Sequence, residues 1–133
     1  MSVVSIRAAL ETALNAMSPS LSTAWENVAF TPVAGTPYQI VNMLFAPPVN
    51  REIGSRHQEQ GYMQVRLMYP VQVGTATAAA RAELLRTTFK RGNTFSSGGI
   101  TVTITDTPEI VPGAVEGDRY AMPVKIRFVS NVH

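Results

Sequence analysis

Apolar residues recur every three or four positions through the first seventeen residues of the chain. This spacing places them on one side of a helix, while Glu11 and Asn15 fall on the opposite side. The helix ends before Pro19, because the residue that precedes a proline avoids the α region. We expect the apolar stripe to pack against a sheet. The stripe consists of Val3, Ile6, Leu10, Ala13, Leu14 and Met17.

Three extended segments follow, and their patterns differ. Residues 24–30 form a short candidate strand, residues 38–45 are apolar on both faces, and residues 61–69 alternate between two faces. We expect Trp25 to anchor the first of these strands to the core. The polar and charged residues 46–60 separate the last two strands. A connection of this length exceeds a tight hairpin turn, so we expect a long loop there.

A second helix is predicted over residues 75–91. Gly92 suits the left-handed position that commonly ends a helix. Arg81 and Leu84 lie on a flank of this helix, outside its main apolar stripe. That stripe consists of Ala78, Ala82, Leu85 and Phe89.

Two more strands are predicted over residues 100–105 and 120–128, because apolar and polar residues alternate in both. Pro123 has no N–H to donate to a neighbouring strand, so the last strand should be an edge strand or bulged there. The element order is therefore α-β-β-β-α-β-β. This order predicts an α+β fold with one mainly antiparallel sheet and both helices packed on one face.

The length and composition of the chain indicate one globular domain. We expect a single domain over residues 1–133, with a content of 45% hydrophobic and 15% charged residues that argues against disorder. No apolar run is long enough to cross a bilayer, and the N-terminus lacks the layout of a signal peptide. The absence of cysteine excludes disulfides and favours a reducing compartment.

The charge of the chain gives little support to nucleic-acid binding, because the formal net charge is only +2. Nine of the eleven basic residues are arginines. Arginine is enriched at protein interfaces, since its planar head loses little entropy per hydrogen bond. A GC-rich coding bias explains the same ratio, and both interpretations stay open.

No group of residues with catalytic or metal-binding spacing stands out. His57 and His133 lack the paired spacing of a zinc site, and the acidic residues of 106–118 are typical of a solvated loop and only weakly of a cation site. Glu83 interrupts the basic residues of the second helix. No nucleophile elbow, P-loop or dinucleotide fingerprint is present. We therefore expect no enzyme, no cofactor, no metal and no specific nucleic-acid binding.

The order of aromatic, proline and glycine residues resembles that of a known family. The segments AWENVAFTPVAGTPY and FKRG carry the resemblance, together with the strands GYMQVRLMYP and VKIRFVS. Over about residues 20–130 the chain resembles the tail terminator-like family of tailed phages and prophages. The signature residues are Trp25, Asn27, Phe30, Pro32, Gly35, Pro37, Tyr38, Phe89 and Gly92.

The resemblance implies a structural subunit that forms a ring, typically a hexamer, on the head-proximal end of the tail tube. Such a ring stops tube polymerisation and presents the surface that joins tail and head. The implied partners are further copies of the chain, the major tail tube protein and head-completion or connector proteins, with DNA passing through the ring and no membrane. The implied location is the virion tail, assembled in the cytoplasm of the bacterial host.

Two alternatives stay open at this stage. A head-completion or adaptor protein on the portal side has the same need for a stable core and interaction surfaces. A small ligand-binding domain or hydrolase that uses the acidic residues of 106–118 is the alternative from another functional class.

A closed ring brings two different patches of each subunit together. One candidate patch is the flank of the second helix, with Arg81, Leu84 and Thr88. The strand edge around Pro123 is a further option. The other candidate patch is the charged loop, with Arg51, Glu52, Arg56, His57 and Glu59.

Overall fold

The computed structural model describes residues 2–17, 21–26, 30–31, 35–49, 57–70 and 76–132. Within these residues the chain forms two helices and eight strands. In chain order they are α1 (Ser2–Asn15), β1 (Ser22–Ala24), β2 (Tyr38–Val49), β3 (His57–Pro70), α2 (Ala76–Thr88), β4 (Thr94–Ser97), β5 (Ile100–Ile104), β6 (Glu109–Ile110), β7 (Ala114–Glu116) and β8 (Arg119–Val132).

The strands form one sheet built around three long members. β2, β3 and β8 contain 12, 14 and 14 residues and lie antiparallel in that order. The far edge of β8 is shared by β5, β6 and β7, and β4 pairs with β5 beyond it. Among the strands that the structure describes, only β1 and β2 pair in parallel.

Both helices pack on the same face of this sheet, and the apolar core lies between the two layers. On the face of the sheet that the helices cover, side chains of neighbouring strands lie directly opposite one another. Val41, Val65 and Val124 form one such row, and all three are buried. The helical stripes predicted from the sequence supply the other half of the core. Their buried members are Ile6, Leu10, Leu14, Met17, Ala78, Ala82, Leu85 and Phe89.

The predicted α+β class, with a mainly antiparallel sheet and two helices on one face, is confirmed. The order α-β-β-β-α is also correct, but five strands follow α2 where two were predicted. The additional strands are β4, β6 and β7, which contain only four, two and three residues. β6 and β7 are too short for a recognisable alternation, which needs at least about four residues, and β4 contains a single apolar residue, Phe95.

The expectation of a long loop over residues 46–60 is wrong at both ends. β2 continues to Val49 and β3 begins at His57, while residues 50–56 lie outside the described residues. The polar residues at the start of β3 belong to the strand because their backbone pairs with the end of β8. Backbone pairing can impose an extended conformation on side chains whose polarity suggests a loop.

The expectation that Pro123 marks an edge strand or a bulge is also wrong. β8 lies inside the sheet, with β3 along one side in unbroken register and several short strands along the other. The carbonyl of Pro123 accepts the N–H of Val111 at 2.9 Å. The nitrogen and the carbonyl of one strand residue point to the same side, so the nitrogen of Pro123 also faces the short strands. It lies between the part of β8 that pairs with β6 and the part that pairs with β7. No ladder hydrogen bond is lost there.

Gly61 lies within β3, directly between Phe45 of β2 and Phe128 of β8. The two phenylalanine rings lean towards each other across the glycine, with centroids 5.6 Å apart in an edge-to-face arrangement. A Cβ at this position would overlap the carbonyl oxygen of Leu44 and lie 3.0 Å from the Cα of Phe45. Only glycine therefore allows this close approach of β2 and β3.

Candidate interaction surfaces

The signature segment at the start of the chain is a packing element. Trp25 is half-buried and packs against the core, directly after β1. The ring of Phe30 lies 5.2 Å from that of Tyr38, the first residue of β2. Asn27 and Pro32 lie outside the described residues. The strand predicted over residues 24–30 is therefore misplaced, because β1 covers Ser22–Ala24 and Trp25 and Glu26 lie beyond it, in the segment that leads to β2.

Arg119 holds the end of the signature segment in place, and the sequence patterns did not point to it. Its side chain is buried, its guanidinium lies 4.9 Å from the centre of the Tyr38 ring, and its Nη1 donates to the carbonyl of Thr36. Gly35 and Pro37 of the signature flank this carbonyl. The residues that carry the family resemblance are therefore joined to the far strand β8.

The signature residues at the end of α2 are also structural. Phe89 is fully buried, and its ring centroid lies 5.2 Å from that of Phe95 on β4. Gly92 has a φ of 91°, and its N–H donates to the carbonyl of Ile104 at 2.8 Å. This conformation suits glycine, but the prediction that Gly92 caps the helix is wrong, because α2 ends at Thr88 and the N–H of Gly92 pairs with β5.

Most residues of the predicted charged loop lie outside the described residues, namely Arg51, Glu52 and Arg56. His57 is the first residue of β3, and Glu59 lies on the helix-covered side of the sheet, opposite Ser130, with 8% of its surface exposed. The expectation that these last two belong to a loop is wrong, because β8 pairs with this part of β3. An interface role for the group stays a prediction.

The flank of α2 points inwards more than the sequence suggested. Arg81 is buried, Leu84 packs against the core, and Thr88 is half-buried with its carbonyl accepting the amide of Asn93. Burial lowers the pKa of Arg81, opposed by the nearby Tyr69 hydroxyl, and burial raises the pKa of Tyr69. Arg81 therefore belongs to the buried side of α2, together with Ala78, Ala82 and Leu85. Its part in an interface also stays a prediction.

The opposite face of the sheet carries no helix and is the larger candidate surface. Its residues alternate with the core residues along the three central strands, and they are partly or fully exposed except at one end, where Met68, Ala121 and Arg119 are buried. Leu44 is 49% exposed and lies in the part of β2 whose outer edge pairs with no strand of the described residues. We call this surface the helix-free face, made up of Ile40, Asn42, Leu44, Tyr62, Gln64, Arg66, Pro123, Lys125 and Arg127.

The helix-free face is basic and aromatic at the end where Leu44 lies. The register places Leu44 opposite Tyr62 and Tyr62 opposite Arg127. Lys125 Nζ and Arg127 Cζ lie 5.5 and 5.9 Å from the centre of the Tyr62 ring. β2, β3 and β8 together contain one carboxylate, Glu59, and it lies on the other face. A shallow groove of about 500 Å³ runs beside Tyr62 and Arg127.

Acidic side chains border the helix-free face along one edge. Arg127 lies 3.8 Å from carboxylate oxygens of both Asp106 and Glu109, and Arg66 pairs with Glu116 across β8. These pairs are exposed, so each contributes little to stability. The prediction of a solvated loop over residues 106–118 is wrong in part, because β6 and β7 lie within it.

The turn between β7 and β8 projects an apolar residue into solvent. Val115 is 67% exposed, and Glu116 and Asp118 beside it are also exposed. Gly117 lies between the two carboxylates and completes the turn. We call Val115, Glu116 and Asp118 the β7 tip.

The described residues show no arrangement typical of catalysis. No group of three or more metal-ligating side chains occurs among them. None of the helices in the described ranges is both long and apolar enough to span a membrane. The described residues instead present two exposed surfaces of different composition on one sheet.

The chain matches one family model and is similar to solved structures. A family model described as phage tail terminator protein matches residues 5–128. A solved structure whose name carries no functional description is similar with a TM-score of 0.79 and 26% identity, covering 96% of this chain and 94% of its own. It is one of six solved chains that match. No curated protein matches the chain.

Proposed function

The chain belongs to the phage tail terminator family, and from this premise we propose that it forms a ring that ends the growing tail tube. In this proposal the ring, typically a hexamer, caps the head-proximal end of the tube, stops its polymerisation and joins the tail to the head. The match of the family model to nearly the whole chain is the observation that carries the proposal. The 133 residues would act in the ring as one domain.

The fold suits a subunit whose task is assembly. A closed ring needs two different patches on each subunit, each held rigidly enough to repeat the same contact around the ring. The helix-free face and the β7 tip are two such patches, and both are built on the long strand β8 or its direct neighbour. Their composition differs, which favours a head-to-tail contact over a symmetric dimer.

The partners follow from the position of the ring. One side of it would contact the major tail tube protein, and the other side would contact the head-completion or connector proteins, with DNA passing through the centre. The chain would enter the virion tail during assembly in the host cytoplasm. This role requires no catalysis and no cofactor.

Electron microscopy and tube polymerisation test the proposal together. Negative staining of the concentrated protein should show rings, and staining after addition to purified tails should show a cap at one end. Addition of the protein to polymerising major tail protein should shorten the tubes, because capped ends no longer grow. The same tube preparation without the protein is the control.

Two results would overturn the proposal. One is a protein that binds neither tails nor tubes at any concentration. The other is co-sedimentation with filled heads and not with tails, which would favour the head-completion alternative.

A further inference from the structure

We propose that the β7 tip of one subunit docks on the helix-free face of a second copy of this chain. The inference rests on the ring assembly proposed above and names the two surfaces that meet in it. Because the two surfaces differ, each subunit uses its β7 tip towards one neighbour and its helix-free face towards the other. Such a head-to-tail contact generates a ring when the rotation between copies closes.

Apolar surface on the two patches is the first argument. Among the described residues, three large apolar side chains are strongly exposed, namely Val4 at 64%, Leu44 at 49% and Val115 at 67%. Leu44 lies on the helix-free face and Val115 on the β7 tip. Contact between the two removes both from water, which is favourable. Val4 on α1 belongs to neither surface.

Charge complementarity is the second argument. The helix-free face places Lys125 and Arg127 beside Tyr62, and its three strands contribute no carboxylate to that face. On the β7 tip, Asp118 is the exposed carboxylate that would face a second copy, because Glu116 already pairs with Arg66 of its own chain. Opposite potentials of this kind steer association and fix the register of two surfaces.

Val115 cannot contact Leu44 of its own chain. Val115 lies opposite Tyr120 at the start of β8, whereas Leu44 shares a row with Arg127. These two positions of β8 are seven residues apart, which corresponds to roughly 23 Å. Val115 can therefore reach Leu44 only on another copy, while Glu116 pairs with Arg66 on the helix-free face of its own chain.

Cysteine cross-linking tests the contact directly, because the natural chain has no cysteine. A chain with Leu44→Cys and Val115→Cys, treated with a short bismaleimide, should give a ladder of covalent oligomers on a denaturing gel. A mixture of the two single variants should give only heterodimers, since each chain then carries one half of the contact. The matched control combines Leu44→Cys with Val4→Cys, which should give no ladder.

The results separate this inference from the proposed function. Rings or tail caps visible for the double variant, without a ladder, would overturn the contact and leave the terminator role intact. A ladder from the Val4 control equal to that of the test pair would overturn it as well. Failure of the unmodified protein to form rings and to cap tails would overturn both.

Charge reversal gives a second, independent measurement. Lys125→Glu alone and Asp118→Lys alone should each weaken assembly by at least about tenfold in the concentration needed for half-maximal ring formation. The double variant should recover most of the loss, because the attraction is restored with its sign exchanged. A double variant no better than the singles, with an unchanged thermal melting curve, would overturn the contact.

Discussion

Arg119 joins three parts of the chain at one end of the helix-free face. Its buried guanidinium lies against the ring of Tyr38 and donates to the carbonyl of Thr36, while its backbone pairs with β3 and β7. A buried cation is costly unless its hydrogen bonds are made inside the protein. Arg119 thus holds the signature segment in place through contacts of long sequence separation.

We expect Arg119→Ala to lower the free energy of unfolding by about 3 kcal/mol, from the lost charged hydrogen bond and the lost contact with the ring. Urea unfolding at constant m-value measures the change. Arg91→Ala is the matched control, because Arg91 also donates to a carbonyl, that of Thr105 at 3.0 Å, but from an exposed position. Equal losses in the two variants would contradict the assigned role.

Gly61 is the residue whose replacement should disturb the central strands most directly. We expect Gly61→Ala to cost about 2–3 kcal/mol, because the added methyl group meets the backbone of β2, which cannot move without its whole strand. Gly117→Ala serves as the control, since nothing lies within 4 Å there and only its φ of 61° is unfavourable, at about 1 kcal/mol. Calorimetric melting of both variants measures the difference, and a cost at Gly61 no greater than at Gly117 would contradict it.

At the level of elements, the outer edge of β2 is protected by a side chain. Beyond Ile40, no strand in the described part of the chain pairs with this edge. The carboxylate of Glu26 accepts the N–H of Met43 there and also the Nη1 of Arg7 from α1 at 3.0 Å. An edge strand left open invites pairing with another chain, and an occupied N–H reduces that risk.

We therefore expect Glu26→Ala to increase self-association through the β2 edge on mild heating, followed by light scattering and thioflavin fluorescence. The lost hydrogen bond should also cost about 1 kcal/mol of stability. Glu11→Ala is the control, because Glu11 faces the same Arg7 at 3.8 Å from within α1. Equal scattering from both variants would contradict the protective role of Glu26.

The elements were predictable where a pattern extends over many residues. The helical stripes and the three long strands repeat their period often enough to stand out from the flanking sequence. The start of β3 and the short strands β6 and β7 were missed, because their extended conformation comes from pairing with β8. β8 itself was predicted, but its place inside the sheet was not.

At the level of the whole molecule, the candidate surfaces depend on which strands become neighbours. Leu44, Tyr62 and Arg127 belong to three separate strands and meet in one row only because β3 lies between β2 and β8. Alternation along residues 61–69 did show that Tyr62, Gln64 and Arg66 share a face. It did not show that a helix covers the other face and leaves this one open.

The sequence by itself determined the α+β class, the two helices, the long strands and the resemblance to tail terminators. Each of these depends on spacing or order along the chain, which is readable without coordinates. The tertiary structure alone decided that Arg81 and Glu59 are buried and that Lys125 and Arg127 flank an aromatic ring. The physical reason is that exposure and side-chain proximity depend on long-range strand pairing, which local patterns do not encode.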